Sequence, residues 1–303
     1  MEKILIGRNG FLSQAMQRAD GDLIVVGSAD FDLLNDEPKA LESIDGADIL
    51  FDTADFYPGV KVTSENPVEV YEKNVQMYET LFALARANNI GKVVTIGTTG
   101  CYPITDELLR EDLFNGDASK LNQKLVSYAL SRFTLLDIAA LYRGNFGIEH
   151  SHLVLPNFYG PGDRYEMGRS HLLASWVRDF QTAKETGQDE IELWGPPTQR
   201  REFIYIDDAA RYTLALGQMT LAEEVINVGT GTTPTYKEMA DTILKVLGFD
   251  GKLKWDLDKP VARNQEVMDT SVMQRYAVDL PAPTDFQQGV KLTVEDYLND
   301  RAS

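Results

Sequence analysis

The chain has 303 residues, 43% of them hydrophobic and 25% charged, which is a globular composition, long enough for one large domain or two sharing a cleft. Its 47 acidic against 29 basic residues give a net charge of −18, which argues against nucleic acid or an anionic membrane as main partner. One cysteine, Cys101, excludes an internal disulfide; the three histidines, His150, His152 and His171, show no metal-ligand spacing with it, and no metal is expected.

No apolar run approaches ~18 residues, so no membrane span is read. The start lacks a basic stretch followed by a long apolar run, so no signal peptide is read and a cytoplasmic protein is expected.

Ile4, Leu5 and Ile6 form an apolar run fit for a strand buried on both faces. Gly7 and Gly10 break it, and Phe11, Leu12, Ala15 and Met16 follow at helical spacing. Strand, glycine turn and helix in that order read as the first βα unit of a nucleotide-binding fold. Glycines let backbone approach a pyrophosphate, and a helix N-terminus offers it unpaired N–H groups. The contact segment is Gly7, Arg8, Asn9, Gly10, Phe11 and Leu12. Ser13 stands where a third glycine would allow close helix–strand packing, so a slightly wider contact is expected.

Leu23–Gly27 reads as the second strand. An acid at its end suits the ribose of NAD, and an arginine suits the 2′-phosphate of NADP. Asp30 and Arg8 offer one of each, so the choice between NAD and NADP stays open. Ala47–Ala54 reads as the third strand. Asn66-Pro67-Val68-Glu69 reads as a capped helix start, and the helix carries Val70, Met77, Tyr78, Leu81, Phe82 and Ala85 on one face with Asn74 off its middle.

Lys92–Ile96 is a further strand, ending in Gly97-Thr98-Thr99-Gly100-Cys101-Tyr102-Pro103. Ligands of parallel α/β sheets collect at such carboxyl ends, which makes Thr98 a candidate contact. A helix from about Ser119 to Tyr142 places Tyr128 and Arg132 four apart on one face. A cation one turn away favours the phenolate, so Tyr128 is expected to have a lowered pKa and to give a proton to a carbonyl being reduced or take one from an alcohol being oxidised.

Further strands are read at Ile191–Trp194, Phe203–Ile206 and Leu253–Trp255. Thr235-Tyr236-Lys237-Glu238 is a capping box opening a helix that ends at Gly248. Trp194, Phe203 and Tyr205 are read as packing residues.

Several segments recur together: Gly7-x-x-Gly10, Asn74, Gly97-Thr98-Thr99 with Tyr102-Pro103, Tyr128-Ala129-Leu130-Ser131-Arg132, and Pro156-Asn157-Phe158-Tyr159-Gly160-Pro161. They continue with Arg169-Ser170-His171, Arg200 to Asp208, and Ile226 to Gly231. In that order they resemble the extended short-chain dehydrogenases/reductases of the NAD-dependent epimerase/dehydratase family, most of all the GDP-L-fucose synthases.

The resemblance implies a Rossmann-type doubly wound parallel sheet with a smaller C-terminal α+β substrate lobe. Residues 1–160 and 202–228 would hold the dinucleotide, and 161–201 and 229–303 a nucleotide-diphosphate sugar. It implies NADP or NAD as cofactor, bound in part by Asn74, Tyr128 and Arg132. Thr98 would be the catalytic hydroxyl, Tyr128 the general acid–base, Arg132 the stand-in for the family's lysine, and His171 the acid of an epimerisation. Asn157 and Arg201 would meet the substrate, and the chain would be a homodimer. The activity implied is a 4-keto reductase or epimerase–reductase; the alternatives are a C4 epimerase with bound NAD, or an impaired dinucleotide-binding member. Gly100 stands where fucose synthases carry a cysteine base, which puts epimerisation in doubt.

Overall fold

The computed structural model describes residues 1–167, 170–259, 263–276 and 280–301. In chain order the elements are β1 (Lys3–Ile6), α1 (Phe11–Ala19), β2 (Ile24–Val26), β3 (Ile49–Asp52), α2 (Val60–Glu65), α3 (Pro67–Ala87) and β4 (Lys92–Thr98). They continue with α4 (Val126–Phe146), β5 (Glu149–Leu155), β6 (Asn157–Tyr159), α5 (Leu172–Thr186), β7 (Glu190–Trp194), β8 (Arg200–Arg201) and β9 (Phe203–Tyr205). The remainder are α6 (Ile206–Gly217), β10 (Val225–Asn227), α7 (Tyr236–Leu247), β11 (Lys252–Asp256), β12 (Gln265–Glu266), α8 (Ser271–Tyr276) and α9 (Phe286–Asp300).

Six strands form one parallel sheet in the order β10-β5-β4-β3-β1-β2. Both faces are covered, as an all-parallel sheet requires. Leu5 of β1 packs toward α1 and α6 with Leu12, Met16 and Ala210. Ile4 and Ile6 point the other way, against Met77, Leu81 and Phe82 of α3 and Leu135 of α4. Alternation of side chains along a strand thus splits one apolar run between two cores. The chain leaves β1 for β2 on one side and returns to β3 on the other, which opens a crevice at the carboxyl ends of β1 and β3.

A third core gathers Phe180 of α5, Met239 and Ile243 of α7, and Val290 of α9. Three further parallel pairs, β6 with β9, β7 with β11 and β8 with β12, flank it. Phe203 and Tyr205 are buried there as expected, whereas Trp194 is 67% exposed.

Local chemistry explains some of the boundaries. Thr235 caps α7 as a full capping box with Glu238, and Gly248 ends the helix in the left-handed region at φ +59°. The cap expected at Asn66 differs: its side chain accepts no helix N–H, and its Nδ2 instead donates to the Val62 carbonyl of the preceding short helix. Helix α4 starts seven residues later than the sequence pattern suggests. Asp117 accepts from the Ser119 amide and Asn122 from the Lys124 amide, and such short polar side chains hold the chain in separate turns.

Candidate active site

The carboxyl ends of β1, β3 and β4 and the start of α4 enclose a cavity of about 400 Å³. Gly10, Phe11 and Leu12 form one wall, Thr98 and Gly100 another, Tyr128 and Arg132 a third, and Asn157 and His171 the side facing the C-terminal segments. Eight of the candidate cofactor, catalytic and substrate residues read from sequence, all of these but Gly100, therefore meet in one place, although they span positions 10 to 171.

The glycine turn has the shape of an anion cradle. Gly7 has φ +101°, and a Cβ there would lie 2.8 Å from the Thr53 Oγ1. Gly10 caps α1 without any side chain accepting from the first turn, which leaves that turn's N–H groups directed at the cavity end. Ser13 joins α1 to the end of β3. It is wholly buried, and its hydroxyl is 2.6 Å from Thr53 Oγ1, which in turn donates to the Ile6 carbonyl. A serine fits because β3 supplies a hydroxyl partner.

Arg8 and Asp30 meet at the end of β2. The guanidinium donates to Asp30 Oδ2 at 2.7 Å and to the Val25 carbonyl at 3.0 Å, and Asp30 also accepts the Gly27 amide. Asp30 is thus a turn residue that also steadies Arg8. Cradle, helix end and half-exposed cation together fit a dinucleotide phosphate at this edge.

Asn74 is corrected by the structure. It is fully buried, donates to the Phe56 and Val70 carbonyls, and accepts from the Phe56 amide. It ties the loop after β3 to α3 and does not line the cavity.

Tyr128 and Arg132 do lie side by side, with Nη2 donating to the phenol oxygen at 2.7 Å. A third residue joins them. Asp55, in the loop after β3, accepts from the Tyr128 hydroxyl at 2.5 Å and from Arg132 Nη2 at 2.7 Å through the same Oδ2. The expected lowering of the phenol pKa is overturned. Burial pushes it well above its ordinary value, and Asp55 adds to this, while Arg132 pulls it down without prevailing. Asp52, one turn of loop away and wholly buried, is pushed by burial up to about 7.

Thr98 faces the cavity and accepts from the Gly100 amide at 3.4 Å. Cys101 is fully buried, and burial pushes its thiol up to about 12, so it offers no thiolate to the cavity. His171 caps α5 from N-terminal backbone, its ring 5.7 Å from that of Phe11. Its Nδ1 pairs with Asp163 Oδ1 at 2.8 Å, which leaves Nε2 as the nitrogen for a ligand. Asn157 donates to the Glu202 carbonyl and to Glu266. Glu266 also accepts from Thr99 at 2.5 Å; against the burial that opposes it, Arg201 and Arg263 hold its carboxyl below the usual range.

Arg201 lies outside the first cavity. It lines a second, about 1140 Å³, with Lys124, Ser170, Trp176, Arg178, Trp194 and Tyr236. The two cavities adjoin, because Lys124 and Leu125, and Ser170 and His171, face one each. Arg169 lies outside the described residues. Among the described residues no three His, Cys, Asp or Glu side chains converge as a metal site, and no helix is long and apolar enough to cross a membrane.

Sequence reasoning missed Asp52, Asp55, Tyr57 and Asp163. The first three lie at or just after the carboxyl end of a parallel strand, β3, where ligands of such sheets collect, and that position is their only signal. Asp163 stands eight residues before His171 with no periodicity linking them.

Comparison with known proteins adds to this geometry. The family model described as "NAD dependent epimerase/dehydratase family" matches residues 7–229. GDP-L-colitose synthase of Yersinia pseudotuberculosis is 27% identical over 312 residues, covering 99% of each chain. Among solved structures, a GDP-L-fucose synthetase from Naegleria fowleri superposes with a TM-score of 0.85 at 20% identity, covering 100% of this chain and 95% of that one. GDP-mannoheptose C4 reductase from Campylobacter jejuni, with NADP bound, gives 0.81 at 22% identity over 98% of each. The matched span contains the glycine turn, Thr98, Tyr128, Arg132 and His171, and on that match the chain belongs to the NAD-dependent epimerase/dehydratase family.

Proposed function

We propose that this chain is an NAD(P)-dependent reductase of a 4-keto nucleotide-diphosphate sugar. The observation that carries the reading is one cavity in which Thr98, Tyr128 and Arg132 face Asn157 and His171, opening beside a larger cavity that holds Arg201. When bound, the reduced nicotinamide supplies a hydride to the sugar carbonyl carbon. The Gly7–Leu12 turn holds the cofactor's pyrophosphate, and Arg8 meets the adenosine end. Thr98 aligns the substrate oxygen and Tyr128 gives it a proton. His171, fixed through Nδ1 by Asp163, hydrogen-bonds the sugar, and Arg201 pairs with the diphosphate. Residues 161–201 and 229–303 form the substrate lobe; 1–160 and 202–228 form the dinucleotide domain.

Reduction is favoured over the epimerase readings for two reasons. The Cys101 thiol is buried and Gly100 occupies the cavity wall in its place. A phenol held protonated suits proton delivery, not the alcohol oxidation with which a C4 epimerase begins. Both the colitose and fucose relatives act on GDP-linked sugars by name, so a GDP-linked 4-keto-6-deoxyhexose is the first substrate to try. Consumption of NADPH with formation of the 4-hydroxy sugar is the expected result. If the wild type is inert while Arg132→Lys gains large activity, the impaired dinucleotide-binding reading replaces this one.

The same proposal includes a cytoplasmic homodimer joined through α3 and α4, where Leu141 is 64% exposed. Light scattering that shows a monomer at micromolar concentration overturns the dimer.

A further inference from the structure

Tyr128 and Arg132 were both legible as a pair, but the pair is in fact a trio, and its third member changes the chemistry. A tyrosine that protonates a carbonyl oxygen becomes a phenolate and must regain one proton in every turnover. A lysine beside it can lend one. A guanidinium, with a pKa above ~12, does not give up a proton. With arginine at position 132, the proton must arrive by another group.

Asp55 is placed to be that group. Its Oδ2 accepts both the Tyr128 hydroxyl and Arg132 Nη2, closing a triangle of hydrogen bonds at 2.5, 2.7 and 2.7 Å. It is also the member that reaches water: its side chain is 32% exposed, against 3% for Arg132. Its position is held from behind, because Asn74 grips the neighbouring Phe56 by both amide and carbonyl. The other titratable groups around the phenol are Asp52 on β3, Tyr78 on α3, Cys101 after β4, Tyr57 in the same loop and His171 across the cavity. Of these, Tyr78, Asp52 and Cys101 are buried, and none of them bonds the phenol oxygen.

We propose that Asp55 is the proton carrier of this site, returning a proton from water to the Tyr128 oxygen after each transfer to substrate. The claim rests on Tyr128 being the acid of the reduction described above. The balance is as follows. The carbonyl carbon gains a hydride from a reduced nicotinamide, which is oxidised by two electrons, and the carbonyl oxygen gains the Tyr128 proton. Phenolate and Asp55 carboxylate are then two anions sharing one guanidinium, an arrangement that raises the proton affinity of both. Asp55 takes up one proton from the bulk solvent, the proton that the overall reduction consumes together with the hydride, and passes it through Oδ2 to Tyr128, restoring the starting state. While ionised, Asp55 keeps the phenol loaded and so sets the site for reduction.

The first test needs no substrate. Phenolate absorbance of the ligand-free protein is titrated and differenced against Tyr128→Phe. In Asp55→Asn, whose amide oxygen still accepts a hydrogen bond, the Tyr128 titration should fall by about one unit or more, because a like charge is gone. The second test follows NADPH-dependent reduction. Asp55→Asn should lower kcat by about 10- to 100-fold with KM nearly unchanged, the scale of a lost acid–base group. Asp55→Glu should keep most of the rate, and formate or acetate should restore that of Asp55→Ala in a concentration-dependent way. An unmoved phenol titration, an undiminished kcat in Asp55→Asn, or lost activity that no small carboxylic acid restores overturns the proposal. A wild type that reduces no 4-keto sugar overturns the parent reading and this role with it. That failure is recognised by its occurrence in the unmutated enzyme, independent of the titration.

Discussion

Asp52 offers a quantitative check on the electrostatics of the cavity wall. It ends β3, is 3% exposed, and accepts the Ala54 amide. Burial is the main cause that lifts its pKa from 3.8 to about 7, outweighing Arg132, which pulls it down. The folded state therefore binds a proton that the unfolded chain releases between those two values. The resulting stabilisation is complete below the unfolded value and is lost as pH rises through about 7. Linkage with these two constants gives about 3 kcal/mol at pH 5 and almost none at pH 8. Asp52→Asn keeps a carbonyl oxygen for the Ala54 amide and does not titrate. Urea unfolding of both proteins at pH 5 and pH 8 isolates this group, since all other titrations are shared. The stability difference should move by about 3 kcal/mol in favour of the variant from pH 5 to pH 8. A difference constant to within about 0.5 kcal/mol would refute the reasoning, and with it the claim that this wall disfavours charge.

Other expectations follow from single contacts. Cys101→Ala should turn over within about twofold of wild type, and the native thiol should resist alkylation until the protein unfolds, because burial keeps it protonated. Arg8→Ala should weaken NADP binding by calorimetry about tenfold, the worth of one charge-assisted hydrogen bond, and leave NAD binding nearly unchanged. Equal losses for both cofactors would remove Arg8 from the 2′-phosphate. Thr235→Ala should cost about 1 kcal/mol in denaturant unfolding through the lost cap and leave kinetics alone.

Much of this molecule is written in local pattern. An apolar triplet, two glycines and a helical stripe specify β1, the turn and α1, because strand burial, backbone approach and amphipathicity each act within a few residues. The i, i+4 spacing put Tyr128 beside Arg132, and the Thr235–Glu238 box formed as read, since one turn of helix fixes both geometries. Tertiary structure alone decided three matters. It brought Asp55 to Tyr128 across 73 positions. It turned Asn74 inward to hold that loop and away from the cavity that Tyr128 and Arg132 line. It also reversed the sign of the phenol's pKa shift. Spacing reveals which charges are neighbours along one helix, but the proton affinity of a buried group depends on how much water the whole fold removes and on every charge that folding brings near.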